Sequence, residues 1–362
     1  MTMLTSSIAI VVGILLLFGG GELFVAGSVA LSLLLGIPQI VIGLTVVSMG
    51  TSAPELFVSL LATVNGNPAD DAIALSNIVG SNIFNVMVVL GLSAASMPLR
   101  VKSRLIRRDV PVLLAVSTAV WGMASAGRIT WQCGVALLTA LVINLVWEVR
   151  TASENPSEVE EIDESERAPA PVAAAKLAAG LGLLVVGSQV LVKGAVAAAT
   201  ALGVSETVIG LTIVAAGTSM PELVTSLVAA YRGKADLAIG NVVGSNLLNQ
   251  LVILGLCAVG SGANGLGVDP VLVSRDLPIM VATTLACLPI FWTHGVISRR
   301  EGWLLFGLYV LYLVEQVLGE IAGADVVGPY RLAVLVVVLP LVLVFLIWQL
   351  LRWREARHAR AD

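Results

Sequence analysis

Charge is scarce in this chain, and so are the residues on which most soluble enzymes rely. Of 362 residues only 12% are charged and 5% aromatic, with two histidines and three cysteines. No soluble domain of this size reads that way: 57% of the chain is hydrophobic and the mean hydropathy is +0.97. Alternating apolar and polar residues are also missing, which excludes barrel strands. The apolar runs are continuous and recur from end to end, so the fold expected is an all-α polytopic membrane protein. Cys133, Cys257 and Cys287 show neither disulfide nor metal spacing and read as small apolar helix residues. The N-terminus lacks the basic start and cleavage site of a signal peptide, so it reads as a first spanning helix.

Eleven spans are expected, at about 7–34, 38–64, 72–97, 109–126, 130–149, 172–201, 205–231, 235–260, 276–294, 301–320 and 331–351. The one shift in composition is residues 154–166, with seven acidic side chains followed by Pro169 and Pro171. It reads as a solvated connector, and no EF-hand spacing supports calcium sensing there. With the N-terminus outside and the C-terminus in the cytoplasm, sixteen of the twenty lysines and arginines fall in cytoplasmic segments and three outside. The positive-inside rule therefore sets that orientation.

What the chain does have is a costly feature twice over. Residues 43–62 and 210–229 are identical at thirteen of twenty positions at an offset of 167, and each stretch carries a glutamate (Glu55, Glu222) in the middle of an apolar helix. A charge at that depth costs about 2.5–3.5 kcal/mol on insertion scales, so it reads as functional. A second block, 77–92 against 241–256, matches at ten of sixteen positions, and Arg108-Asp109-x-Pro111 meets Arg275-Asp276-x-Pro278. Helices 1–5 and 6–10 are thus two copies of one unit. Because each has an odd number of spans, the second enters the membrane inverted, the design of secondary transporters. The expected organisation is a first inverted repeat (1–150), an acidic cytoplasmic linker (151–171), a second repeat (172–322), and an additional helix 11 with a basic cytoplasmic tail (323–362).

The chemistry of the motifs is all oxygen. Pro54 removes a backbone donor and, with Gly50, frees carbonyls around Ser48–Thr51. Thr51, Ser52 and Glu55 share a face, as do Thr218, Ser219 and Glu222, with Ala215 at the place of Ser48. Asn77, Ser81 and Asn85 line one face of helix 3, and Asn241, Ser245 and Asn249 line one face of helix 8. Hard oxygen donors suit Ca2+ or Na+, and with no His or Cys in either motif zinc, copper and iron fit poorly. Glu22 aligns with Gln189, so the repeat does not support it as a ligand. Asp109 and Asp276 stand beside arginines at helix starts, where capping or ion pairing is expected.

The pair GTSAPE (50–55) and GTSMPE (217–222), with VGSNIFN (79–85) and VGSNLLN (243–249), resembles the two alpha-repeats of the cation/calcium exchanger superfamily, in its compact prokaryotic form. The resemblance covers helices 1–10. It implies a ten-helix core in which long tilted helices 1 and 6 slide across a fixed bundle. It implies Glu55 and Glu222 as the central ligands for Ca2+ and Na+, with Asn85 and Asn249 closing the cluster. Thr51, Thr218, Ser52, Ser219, Ser81 and Ser245, with carbonyls near Ser48 and Ala215, would complete flanking Na+ sites. Potassium-dependent members carry Asp at position 249, so Asn249 leans against K+ transport. Three-for-one exchange would move one net charge per cycle. The expected activity is Ca2+ exchange for Na+ across a prokaryotic cell membrane, and a H+/Ca2+ antiporter is the alternative, since the same glutamates could trade the metal for protons. A channel fits the broken, inverted helices less well. No enzyme is expected, since Ser52 has no histidine partner within helical reach. Nor is a cofactor, a nucleic acid or an obligatory protein partner; the partners are Ca2+, Na+ and the bilayer.

Overall fold

The computed structural model describes residues 2–64, 68–154, 166–293 and 295–358. Most of the acidic connector lies outside the described residues. Helix 1 is Met3–Leu35, helix 5 Trp131–Glu154, helix 6 Ala170–Ala201 and helix 10 Arg299–Ile321. Helix 8 is Ala235–Gly260 and helix 9 Leu272–Trp292. Helices 2, 3, 7 and 11 are composite, over 39–64, 68–96, 206–231 and 324–358. By length and composition ten of these can cross a bilayer, if each of the two bent helices, 2 and 7, is one span. Helix 4 is the exception to the eleven expected. Its α-helical part, Val110–Ala124, has 15 residues and follows a π-helical turn at Leu105–Asp109 that carries Arg107, Arg108 and Asp109. At 1.5 Å per residue the α-helical part spans about 22 Å, short of the ~30 Å hydrocarbon thickness.

The second repeat copies the first in its irregularities as well as its helices. π-helical turns stand at Gly43–Val47 and Gly210–Val214, at Asn85–Leu90 and Asn249–Ile253, and at Leu105–Asp109 and Leu272–Asp276. Such turns mark functional positions in many helices. Two short antiparallel pairings join the repeats: Leu99–Arg100 with Val296–Ile297, and Arg128–Ile129 with Leu266–Gly267. Helices 3 and 8 form the centre, largely buried along their length.

Helices 1 and 6 pair antiparallel across that centre on a seam of glycine that stands apart from the motifs singled out in the sequence. Gly13, Gly20 and Gly27 recur every seven residues, and Gly180, Gly187 and Gly194 repeat them at the same offset of 167. A Cβ on Gly20 would come 2.8 Å from the Leu184 backbone nitrogen, and one on Gly180 2.5 Å from that of Phe24. Only glycine lets the two backbones come this close. Gly19 and Gly182, off the seam, have nothing within 4 Å of such a Cβ. Gly20→Val or Gly187→Val should therefore destabilise the protein by about 1–3 kcal/mol through overpacking. Gly19→Ala and Gly182→Ala should leave the thermal midpoint of the detergent-solubilised protein unchanged.

Candidate cation site

The two glutamates meet because both bearing helices break two residues before the proline-glutamate pair. At Ser52 (φ −79°, ψ 7°) and Ser219 (φ −91°, ψ 9°) the backbone leaves helical geometry. Helix 2 bends there by 50° and helix 7 by 62°. Pro54 and Pro221 lack the N–H that would continue the ladder, and proline is well placed at the start of the next segment. Each break makes a fresh helix N-terminus, and Glu55 and Glu222 fall in its first turn. The positive end of that half-helix favours the carboxylate, while the negative end of the preceding half favours a cation beside it.

Both glutamates are fully buried, at 0% exposure. Their bonds cross between the repeats. Ser52 Oγ donates to Glu222 Oε1 at 3.0 Å, and Ser219 Oγ donates to Glu55 Oε1 at 2.9 Å. Ser81 adds a longer bond to Glu55 Oε1, 3.5 Å, and stands 3.2 Å from Ser219 Oγ. Behind the glutamates, Asn77 Nδ2 donates to Ser59 Oγ (3.0 Å) and to the Glu55 carbonyl (3.4 Å). Asn241 does the same to Ser226 Oγ (2.9 Å) and the Glu222 carbonyl (3.3 Å). The amides thus hold each half-helix at its glutamate. Thr51 Oγ1 bonds Asn241 Oδ1 at 3.1 Å.

Asn85 and Asn249 are held by two residues that the sequence reading left aside. Asn85 Nδ2 donates to Asn246 Oδ1 at 3.1 Å, and Asn249 Nδ2 to Asn82 Oδ1 at 3.0 Å. The Asn82 and Asn246 amides donate to each other's backbone carbonyls, at 3.4 and 3.2 Å. Four asparagines therefore clamp helix 3 to helix 8. The signal was the Asn-x-x-Asn spacing inside both SN motifs, and Ser59 and Ser226 likewise stand at matching repeat positions.

Once these bonds are made, a set of buried oxygens is left with no partner in the described protein. They are Glu55 Oε2, Glu222 Oε2, Asn85 Oδ1, Asn249 Oδ1, Thr218 Oγ1 and Ser245 Oγ. Orphaned buried acceptors are rare, because each carries an unpaid desolvation penalty of about 1–3 kcal/mol. The amide nitrogens face protein acceptors, so the amide oxygens are the free ends. Two carboxylates and neutral oxygens form a donor set for a hard cation.

The remaining sequence-singled residues are placed unequally. Ser48 is fully buried, whereas Ala215, its counterpart, is exposed. The Gly217 carbonyl, freed by Pro221, accepts a 2.5 Å bond from Ser188 on helix 6. The expected open carbonyl there is thus already paired. Glu22 pairs with Arg232 at the end of helix 7. Asp109 and Asp276 pair with Arg108 (3.6 Å) and Arg275 (2.8 Å), and neither caps its helix.

The same inequality runs through the first halves of helices 2 and 7. The first half of helix 2 lies against helix 8: a Cβ on Gly244 would meet the Leu44 Cα at 2.6 Å, and one on Gly43 the Gly240 Cα at 3.1 Å. At the equivalent meeting of helix 7 with helix 3, a Cβ on Gly210 or on Gly80 would have nothing within 4 Å. Val47 is 0% exposed, and its counterpart Val214 is 47% exposed. One face of the site is packed shut and the other is loosely covered.

Inverted five-helix repeats around a buried, oxygen-only site define a secondary transporter of cations. Comparison with known proteins makes the class specific. The family described as "Sodium/calcium exchanger protein" matches residues 5–150 and 172–318. The putative antiporter CaxA of Alkalimonas amylolytica is 37% identical over 318 residues, 86% of this chain and 98% of that protein. The sodium/calcium exchanger MaX1 of Methanosarcina acetivorans is 29% identical, over 84% of this chain and 96% of its own length. The sodium-calcium exchanger NCX_Mj superposes with a TM-score of 0.73 at 30% identity, over 86% of this chain and 99% of that one. The chain belongs to the sodium/calcium exchanger family, and is a multi-pass membrane cation/calcium antiporter.

Asn246→Leu would strand the Asn85 amide and remove the bond to the Asn82 carbonyl. A loss of about 1–3 kcal/mol is expected in thermal unfolding, with Asn82→Leu behaving alike by symmetry.

Proposed function

We propose that the protein exchanges Ca2+ for Na+ at the site of Glu55 and Glu222, that it does so without K+, and that the cycle moves net charge. The supporting observation is the set of six orphaned oxygens, two of them from carboxylates. A Ca2+ ion neutralises the two glutamates, and the same oxygens suit Na+ ions that cannot share the site with it. Neutral Asn85 and Asn249 leave only two negative charges in the centre, so three Na+ already carry the site to a net charge of +1 and a further K+ would have no carboxylate to offset it. The names of MaX1 and NCX_Mj, both sodium/calcium exchangers, support the same pairing.

In this reading the N-terminus is outside, so the packed face at helix 2 is cytoplasmic and the loosely covered face at helix 7 is external. Both glutamates are sealed from solvent, so ions enter only when a half-helix moves. Exchange of roles between the two copies then gives alternating access. Inverted copies make the two states similar in packing, and hence close in energy.

Purified protein in liposomes with internal Na+ should take up external Ca2+, and an imposed pH gradient alone should drive none. Uptake driven only by the pH gradient would assign the exchange to protons instead. Glu55→Gln and Glu222→Gln should each reduce uptake to that of empty vesicles while eluting as folded protein.

The packing asymmetry gives a second test. Gly80→Ala fits the present arrangement, whereas Gly244→Ala clashes with Leu44. Both should slow exchange, but in opposite states. Gly80→Ala should raise thiol labelling of Val214→Cys, and Gly244→Ala that of Val47→Cys.

A further inference from the structure

Each repeat carries a buried ion cluster at the start of its fourth helix, and the two clusters are not built alike. In the first repeat Glu148 on helix 5 is 3% exposed and receives two guanidinium groups, from Arg104 and Arg108. Arg108 also lies over the Trp147 ring, at 4.6 Å. The offset of 167 carries Arg108 to Arg275, Asp109 to Asp276 and Glu148 to Glu315. The π-helical turn that presents the arginine is repeated as well.

Arg104, however, is carried to Val271, which is 49% exposed. Arg275 is already engaged: it holds Asp276 at 2.8 and 3.0 Å and Gln316 Oε1 at 3.2 Å. Asp276 also accepts from the Tyr312 hydroxyl, 3.1 Å. Arg275 thus gives its bonds to Asp276 and Gln316, and Glu315, 8% exposed, receives neither of the two direct arginine bonds that Glu148 has. The cation comes from outside the repeat. Arg331 of helix 11 places Nε 2.8 Å and a terminal nitrogen 2.7 Å from Glu315 Oε1. Beside it, the Tyr330 hydroxyl donates to the Leu311 carbonyl of helix 10 at 2.8 Å.

We infer that helix 11 acts as a built-in partner of the second repeat, and that Arg331 replaces the arginine missing at position 271 by neutralising Glu315. A buried carboxylate deprived of the cation bonded to it is strongly destabilising, whereas removing both members of the pair is far less so. The family match ends at residue 318, so Arg331 lies outside the matched repeats. Arg331 is a positioning residue. Through Glu315 it fixes helix 10, whose Tyr309 packs edge-on against Phe84, 5.5 Å between centroids, next to Asn85 of the cation site.

The test uses the full chain, by thermal midpoint in detergent and by initial Ca2+ uptake in liposomes. Arg331→Ala should lower the midpoint by about 5 °C or more. Three changes made alongside or instead of it separate charge compensation from mere packing of helix 11. Arg331→Lys should retain most of the midpoint. Glu315→Gln combined with Arg331→Ala should recover most of the loss, since the orphaned charge is gone. Val271→Arg combined with Arg331→Ala should recover it too, by restoring the first-repeat arrangement, and uptake should follow the midpoint in each. An unchanged midpoint in Arg331→Ala would overturn the inference. So would failure of both double variants to recover, which would leave helix 11 as apolar packing alone. Recovery by Glu315→Gln without recovery by Val271→Arg would overturn the equivalence of positions 271 and 104.

Discussion

Two carboxylates sealed from water inside an apolar bundle are the constraint on which the rest of this structure rests. Among the described residues neither Glu55 nor Glu222 has a basic side chain bonded to it; what each has is a serine from the opposite repeat. Serines alone do not repay the removal of a charge from water. The surroundings therefore combine several weaker devices: a helix broken so that its positive end begins at the glutamate, an amide clasping the glutamate's own carbonyl, and unpaired oxygens converging from helices 2, 3, 7 and 8. Such carboxylates rest easily only when a cation or a proton neutralises them. The apolar interior thereby makes a positive charge at the glutamates a condition for a comfortable resting state.

Much of this was legible in the residues. A glutamate at membrane depth is expensive, and the same expense at an offset of 167 made the repeat, the inversion and the pair visible together. The breaks followed from Gly50, Pro54 and their copies. Other parts were hidden for physical reasons. Asn82 and Asn246 sit one turn from Asn85 and Asn249, and nothing local says which amide faces the ions and which clamps the opposite helix; the partner comes from the other repeat. The freed carbonyl at Gly217 was foreseeable, but its capture by Ser188 was not, because helix 6 carries serine where helix 1 carries Gly21. Helix 4 formed where expected yet proved short, because the charged turn at Leu105–Asp109 takes up part of its length. Nor could near-identical motifs announce that one copy would be packed and the other loose. Conformational state is a property of the whole assembly.

The repeats agree most closely at the ion site and diverge toward the ends of the helices. At the centre a change in one copy unbalances an arrangement that both must adopt in turn. At the periphery each copy meets its own neighbours, and a lost side chain can be replaced from elsewhere in the chain. Position 104 and position 271 illustrate this freedom, as do Ser188 and Gly21.

The glycine seam between helices 1 and 6 carries a mechanical consequence. Glycines spaced by seven residues fit the facing backbone in one register, and the next equivalent register lies about 10 Å along the axis, at 1.5 Å per residue. Any smaller shear between the two helices would drive a side chain into a backbone where only hydrogen fits. The pair is therefore keyed like two lengths of toothed rail, a single stiff unit rather than two independent helices. The seam thus holds the two helices at one height relative to each other across the membrane.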